Sequence, residues 1–130
     1  MYSRVGLRAP IHCTAVGKVL AADLPSPAQE RLLSRLDYQR FTDRTLVSAS
    51  ALASELELVA TQGHAEDHEE HESFINCVGA PIRDGTGRAV AALSVSVPTL
   101  SLDHAGVLAL LPQVRSAAAA VSRDLGWAPT

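Results

Sequence analysis

At 130 residues, 47% hydrophobic and 19% charged, the chain has the length and apolar content of one folded domain, and its few aromatics leave the core to Leu, Val and Ala. A formal net charge of −3 and a single lysine, Lys18, provide no cluster of cations to neutralise phosphates, which argues against DNA binding by this chain alone. No apolar run approaches the ~18 residues of a membrane span, and the start Met1-Tyr2-Ser3-Arg4-Val5 lacks the basic-then-apolar pattern of a signal peptide. The expectation is one cytoplasmic domain over residues 1–130, without a membrane partner, in which Cys13 and Cys77 remain thiols.

Residues 14–24 read as a first helix, with Val16, Val19 and Leu20 as its apolar stripe and Pro25 as its stop. Ser26-Pro27-Ala28-Gln29 opens a second: Ser26 is placed at the N-cap, Pro27 at the first helical position, and Gln29 closes a capping box. Its buried face is Ala28, Leu32 and Leu36. A third helix follows Ser48, with Leu52, Leu56 and Val59 at helical spacing, and ends at Gly63. The run 64–72, with five acids from Glu66 to Glu72, reads as a solvated acidic loop. Were it helical, His64, His68 and His71 would share a face, and Cys77 could complete a zinc site; Gly63, a helix terminator, argues against that, and no metal or other cofactor is assigned.

The period then changes to two. Residues 75–82 and 89–97 are strand-like, joined by Asp84-Gly85-Thr86-Gly87. With Gly85-Thr86 as a two-residue type II′ turn, Cys77 falls opposite Ser94, Ile75 opposite Ser96 and Gly79 opposite Ala92. All six project from one side of the sheet, while Leu93, Val95 and Val97 form an apolar opposite side. The polar side is either an ordinary solvent-facing strand surface or the floor of a small pocket. The last helix spans about 103–125, with Val107, Leu111, Val114, Ala118, Val121 and Leu125 on one stripe, a bend at Pro112 and an end at Gly126. Asp84 and Asp103 are turn and helix-start residues. Cys13 beside His12 suggests a nucleophile with its base, but sequence neighbours rarely face each other and a buried cysteine is the plainer reading; no catalytic residue is assigned. Lys18 would reach an acidic ligand or pair with a surface carboxylate.

Four stretches in order resemble the effector-binding domain of IclR-family transcription regulators. The first is Gly6-Leu7-Arg8-Ala9-Pro10-Ile11-His12-Cys13-Thr14-Ala15-Val16-Gly17-Lys18-Val19-Leu20-Ala21, and the second is 63–67 with Glu69-Glu70. The third is Cys77-Val78-Gly79-Ala80-Pro81-Ile82-Arg83-Asp84, and the fourth is Ala91-Ala92-Leu93-Ser94-Val95-Ser96-Val97-Pro98. The resemblance implies an α+β fold, a GAF-like or profilin-like antiparallel sheet flanked by helices. It covers the latter part of such a domain, so the first strands of the six-stranded sheet and a DNA-reading winged helix are expected outside the matched region.

The resemblance also implies a site: Ala15, Val16 and Gly17 as pocket backbone, with Asp67, Cys77, Ser94 and Ser96 as side chains. The implied ligand is a small organic acid, carrying a hydroxyl or keto group, whose binding modulates DNA binding by the full-length protein. The first-turn amides suit a carboxylate and Asp67 an approaching hydroxyl or amine. Relatives assemble through this region, implying a homodimer or tetramer. The family usually has glycine shortly before the strand cysteine, where Phe74 stands here and is expected to narrow the pocket; Gly79 replaces a usual alanine, and His64 a common aromatic. Two other readings remain: a small enzyme using Cys77 or Asp67 in the same pocket, or a pure oligomerisation domain.

Overall fold

Thr14 starts the first helix by accepting a hydrogen bond from the Gly17 amide, satisfying one donor that the helix itself cannot. That helix, α1 (Ala15–Ala22), is followed by α2 (Ser26–Arg35), α3 (Ala49–Gln62), β1 (Ala65–His68), β2 (Ile75–Arg83), β3 (Ala89–Pro98), α4 (His104–Leu108) and α5 (Leu111–Asp124). The structure is a computed structural model and describes residues 4–129. α3 matches its sequence pattern: Ser48 caps it, Gly63 ends it, and Leu52, Leu56 and Val59 are buried. In α2 the capping box does not form. Ser26 lies inside the helix, and Gln29 instead donates to the Ala21 carbonyl at 2.9 Å, tying α2 to the end of α1. Ala28, Leu32 and Leu36 are half-buried, and both leucines pack on the cluster of Ala21, Leu52 and Leu56.

The run 64–72 departs from expectation. Its first half is β1, and Asp67 and Glu70 are buried. Acidic residues are poor strand formers, but antiparallel pairing of Ala65 through His68 with Gly79 through Asn76 overrides that preference. The sheet order is β1-β2-β3.

The turn between β2 and β3 also differs. Gly85 does not take a positive φ, whereas Gly87 does, at 84°. The Gly87 amide donates to the Asp84 carbonyl, and the Asp84 amide to that of Arg88. This is a three-residue loop with its left-handed residue at Gly87, the usual alternative to a type II′ hairpin. Together with a bulge at Ile82/Arg83, it slides the pairing by two residues: Cys77 lies opposite Ser96, Gly79 opposite Ser94 and Ile75 opposite Pro98. A slip of two preserves the side from which every residue projects; a slip of one would have inverted the sheet. Asp23 clamps this junction, accepting from Arg83 Nη1 and from the Ala89 amide, both at 2.8 Å.

The expected single C-terminal helix is two. Pro112 has no amide to donate and occupies the first turn of α5, so the chain breaks at residues 109–110 instead of bending. Asp103 caps α4 through the Gly106 amide. Along α5 the inward stripe is Val114, Ala118 and Ser122, and Val121 and Leu125 are exposed. Ser122 is satisfied in the core, donating to the Ala118 carbonyl and accepting from the Arg83 amide. By length and composition alone His104–Asp124 is apolar enough to cross a membrane. In the fold, Val107, Val114 and Ala118 pack on the side of the sheet formed by Val78, Ala80, Ile82, Leu93 and Val95. The opposite side, with Ala65, Cys77 and Ala92, receives α1 and Val59 of α3. The α+β expectation holds, with helices on both faces of a sheet that has three strands among the described residues.

Candidate functional site

Two glycines permit close approaches around the start of α1, one to the chain that precedes it and one to the sheet. A Cβ on Gly17 would lie 2.6 Å from Ile11 Cα and 2.8 Å from the Ile11 carbonyl oxygen, so only glycine lets the preceding segment cross there. A Cβ on Gly79 would meet Ala15 Cβ at 3.1 Å. The polar side of the hairpin therefore faces a helix start and not bulk solvent.

Between them lies a half-open cavity of about 100 Å³, into which Ala15, Val16, Asp67, Cys77, Ser94 and Ser96 converge. Six of the seven residues the resemblance points to are thus brought together. Gly17 is the exception: it does not line this cavity, and its amide is already taken by Thr14 Oγ1 at 3.1 Å. Its part is to permit the crossing at Ile11. That leaves the Ala15 and Val16 amides as the first-turn donors without an intrahelical acceptor.

Asp67 is 3% exposed. Its Oδ1 accepts from the Glu70 amide at 2.8 Å, and its Oδ2 lies 3.7 Å from Cys77 Sγ, which in turn is 3.0 Å from Ser96 Oγ. Burial pushes the Asp67 carboxyl up from 3.8 to about 6, against the lowering effect of the Glu70 amide and of Lys18. Burial pushes the Cys77 thiol up to about 12, and Cys13 likewise. A thiolate is the reactive form of cysteine, so neither is poised as a nucleophile. Both are free, and His12 Nε2 is engaged with the Gln39 carbonyl at 2.8 Å.

Sequence reasoning missed part of the lining, including Leu7, Arg8, His71, Glu72 and Ile75. Ile75 was recoverable, because it shares strand parity with Cys77. Arg8 and His71 were not, because they reach the site from segments without regular structure.

Phe74 does not narrow the pocket. It is 70% exposed and lies outside the cavity lining, in the left-handed region at φ 67°. That backbone costs a non-glycine residue about 1–2 kcal/mol, part of which glycine returns as unfolded-state entropy. Phe74→Gly should therefore stabilise the fold by about 0.5–1 kcal/mol in urea unfolding; a loss of stability would mean the ring makes contacts that this exposure denies.

The histidines do not form the imagined set. Because β1 is a strand, His64 and His68 flank Glu66 on one side, where Glu66 lies 2.9 Å from His104 Nε2 and 3.6 Å from His64 Nε2. His68 stacks on His104 with centroids 4.0 Å apart, whereas His71 packs edge-on against Phe41. No group of three or more His, Cys, Asp or Glu side chains is arranged to hold a metal ion among the described residues. Lys18 pairs with carboxylates, but from a wholly buried position: Glu70, itself buried, lies at 2.6 Å and the partly exposed Glu55 at 3.3 Å.

A sheet covered by helices on both faces, with a small cavity between a helix start and the strands, is the α+β sensor-domain architecture that the motifs anticipate. Residues 1–123 match the family described as bacterial transcriptional regulator IclR, C-terminal, and the chain belongs to that family. It is 42% identical over 126 residues to the HTH-type transcriptional regulator XynR of Escherichia coli, covering 97% of this chain and 50% of that protein. It is 37% identical over 127 residues to the regulator KdgR of the same organism, covering 98% and 48% respectively. The crystal structure of the KdgR C-terminal domain superposes with a TM-score of 0.86 at 35% identity, over 94% of this chain and 74% of that one. An IclR homolog from Microbacterium hydrocarbonoxydans, complexed with 4-hydroxybenzoate, superposes with a TM-score of 0.84 at 26% identity, over 96% and 50%. The chain spans about half the length of the curated relatives it matches.

Proposed function

We propose that this chain is the effector-binding domain of an IclR-type transcription regulator and takes a small organic acid in the cavity beneath α1. The observation that carries the reading is the convergence of the buried Asp67 and the half-buried Cys77 and Ser96 on the first turn of α1. The Ala15 and Val16 amides and the positive end of the helix dipole receive the carboxylate. Ser94 and Ser96 contribute hydroxyls. Asp67 accepts from a ligand hydroxyl when ionised and donates when protonated, so a hydroxy or keto acid suits the site better than a plain alkanoate. The hydroxy acid bound by the Microbacterium homolog belongs to that class. In the whole protein a winged helix preceding this domain reads the DNA, and the domain associates as a dimer or tetramer. The ligand signals by favouring one arrangement of that assembly, through a difference in binding free energy between states. Two thiols held near 12 favour binding over catalysis.

Calorimetry against a panel of hydroxy and keto monocarboxylic acids tests the proposal. At least one should bind, and Ser94→Ala with Ser96→Ala should weaken it roughly tenfold, the worth of about two hydrogen bonds. A panel with no binder and no rise in melting temperature would count against the acid-binding reading and favour the oligomerisation one, because any ligand specific to the native state must raise that temperature.

A further inference from the structure

We infer that Lys18 is a positioning residue for this pocket: its buried ammonium bolts α1, whose first turn is one wall, to the β1–β2 turn that holds Asp67 on the other. The inference rests on the effector reading of the cavity. Lysine is rarely buried without partners, and Lys18 is 0% exposed. Its three N–H donors meet three acceptors from three places: Glu70 Oε1 at 2.6 Å, the Glu66 carbonyl at 2.8 Å and Glu55 Oε1 at 3.3 Å.

Glu70 passes the constraint on. Its second oxygen accepts from the His68 amide at 2.9 Å, and its own amide donates to Asp67 Oδ1 at 2.8 Å. Thr45 Oγ1 donates to the Glu70 carbonyl, holding the turn from outside. A continuous path therefore runs Lys18–Glu70–Asp67–Cys77–Ser96, from α1 across β1 and β2 to β3. A buried ion pair is seldom the most stabilising use of such a position, because well-packed apolar side chains often serve as well. What an apolar pair could not do is orient the turn by hydrogen bonds and set the field at Asp67. The ionisable groups that act on that carboxyl are Lys18 from α1, Cys13 ahead of it, Glu70 from the turn and Cys77 from β2; the His71 backbone also bonds to it, and Arg8, His71 and Glu72 share its cavity. Lys18 and Glu70 act on it with opposite signs.

The test follows the Asp67 side-chain carboxyl carbon by NMR through a pH titration of the ligand-free protein, in the native chain, Glu70→Gln, Lys18→Met and the double variant. The native midpoint should lie near 6. Glu70→Gln removes a neighbouring negative charge but leaves the residue-70 amide donating, so the midpoint should move down. Lys18→Met should move it up, and the double variant should return it towards the native value. Should Lys18→Met fail to fold, Glu70→Gln and the double variant still decide. A pair that merely props up the fold would lower the melting temperature of the single variants without moving the midpoint. Unmoved midpoints, or shifts of the same sign in both single variants, overturn the inference. Because no ligand is present, either result is independent of whether any acid binds.

Discussion

Lys18→Met should destabilise the fold by about 3–5 kcal/mol, the usual cost of removing one partner from a buried ion pair. The native ammonium satisfies Glu70 Oε1, the Glu66 carbonyl and Glu55 Oε1 together. Methionine fills most of the volume but leaves Glu70, itself buried, with an unpaired carboxylate oxygen. Native domains are stable by only about 5–15 kcal/mol, so the variant sits near the threshold of folding. Adding Glu70→Gln should recover much of the loss, because the stranded charge disappears even though the hydrogen bond does not return. Urea unfolding with an unchanged m-value measures both. A loss below about 1 kcal/mol for the single variant would show that water reaches the pair and that it behaves as a surface salt bridge.

The second large effect is the dependence of stability on pH. With its carboxyl raised from 3.8 to about 6 by burial, Asp67 makes the folded chain retain a proton that the unfolded chain has released between those values. Its contribution is therefore most favourable below about pH 4, falls as pH rises, and levels off above about pH 6. At about 1.4 kcal/mol per pH unit, the fall amounts to roughly 3 kcal/mol. Asp67→Asn has no proton to release. Its stability relative to the native protein should therefore improve by on the order of 2–3 kcal/mol between pH 4 and pH 7 and change little beyond. Taking the difference between the two proteins removes the titration of every other group. A flat difference would mean that Asp67 is as well solvated in the folded chain as in the unfolded one. An ionised carboxyl that costs stability is characteristic of a binding site, where local rules are broken for recognition.

The local features were readable because each depends on near neighbours in the chain. Thr14, Ser48 and Asp103 announced helix starts, Gly63 announced an end, and Leu52, Leu56 and Val59 declared a buried stripe by spacing alone. Strand alternation placed Cys77, Ser94 and Ser96 on one side of the sheet, and that survived an error in the turn because the slip was even. The IclR motifs then attached a ligand class to a surface that patterning alone left open between solvent and pocket.

Tertiary packing decided the rest, because burial and pairing depend on residues far away in the chain. Whether 64–72 was a loop, a helix or a strand turned on an open hydrogen-bonding edge of β2 and on Lys18, which gives Glu70 a partner and makes its burial possible. Gly17 looked like pocket backbone until the crossing at Ile11 explained it, and Phe74 looked like a gate until its ring turned outward. The amino-acid sequence by itself determined which residues could face the cavity, since caps and periodicity act within a few residues. Only the three-dimensional packing decided which of them do, and which charges are stripped of water in facing it, since desolvation is set by everything that closes around a group.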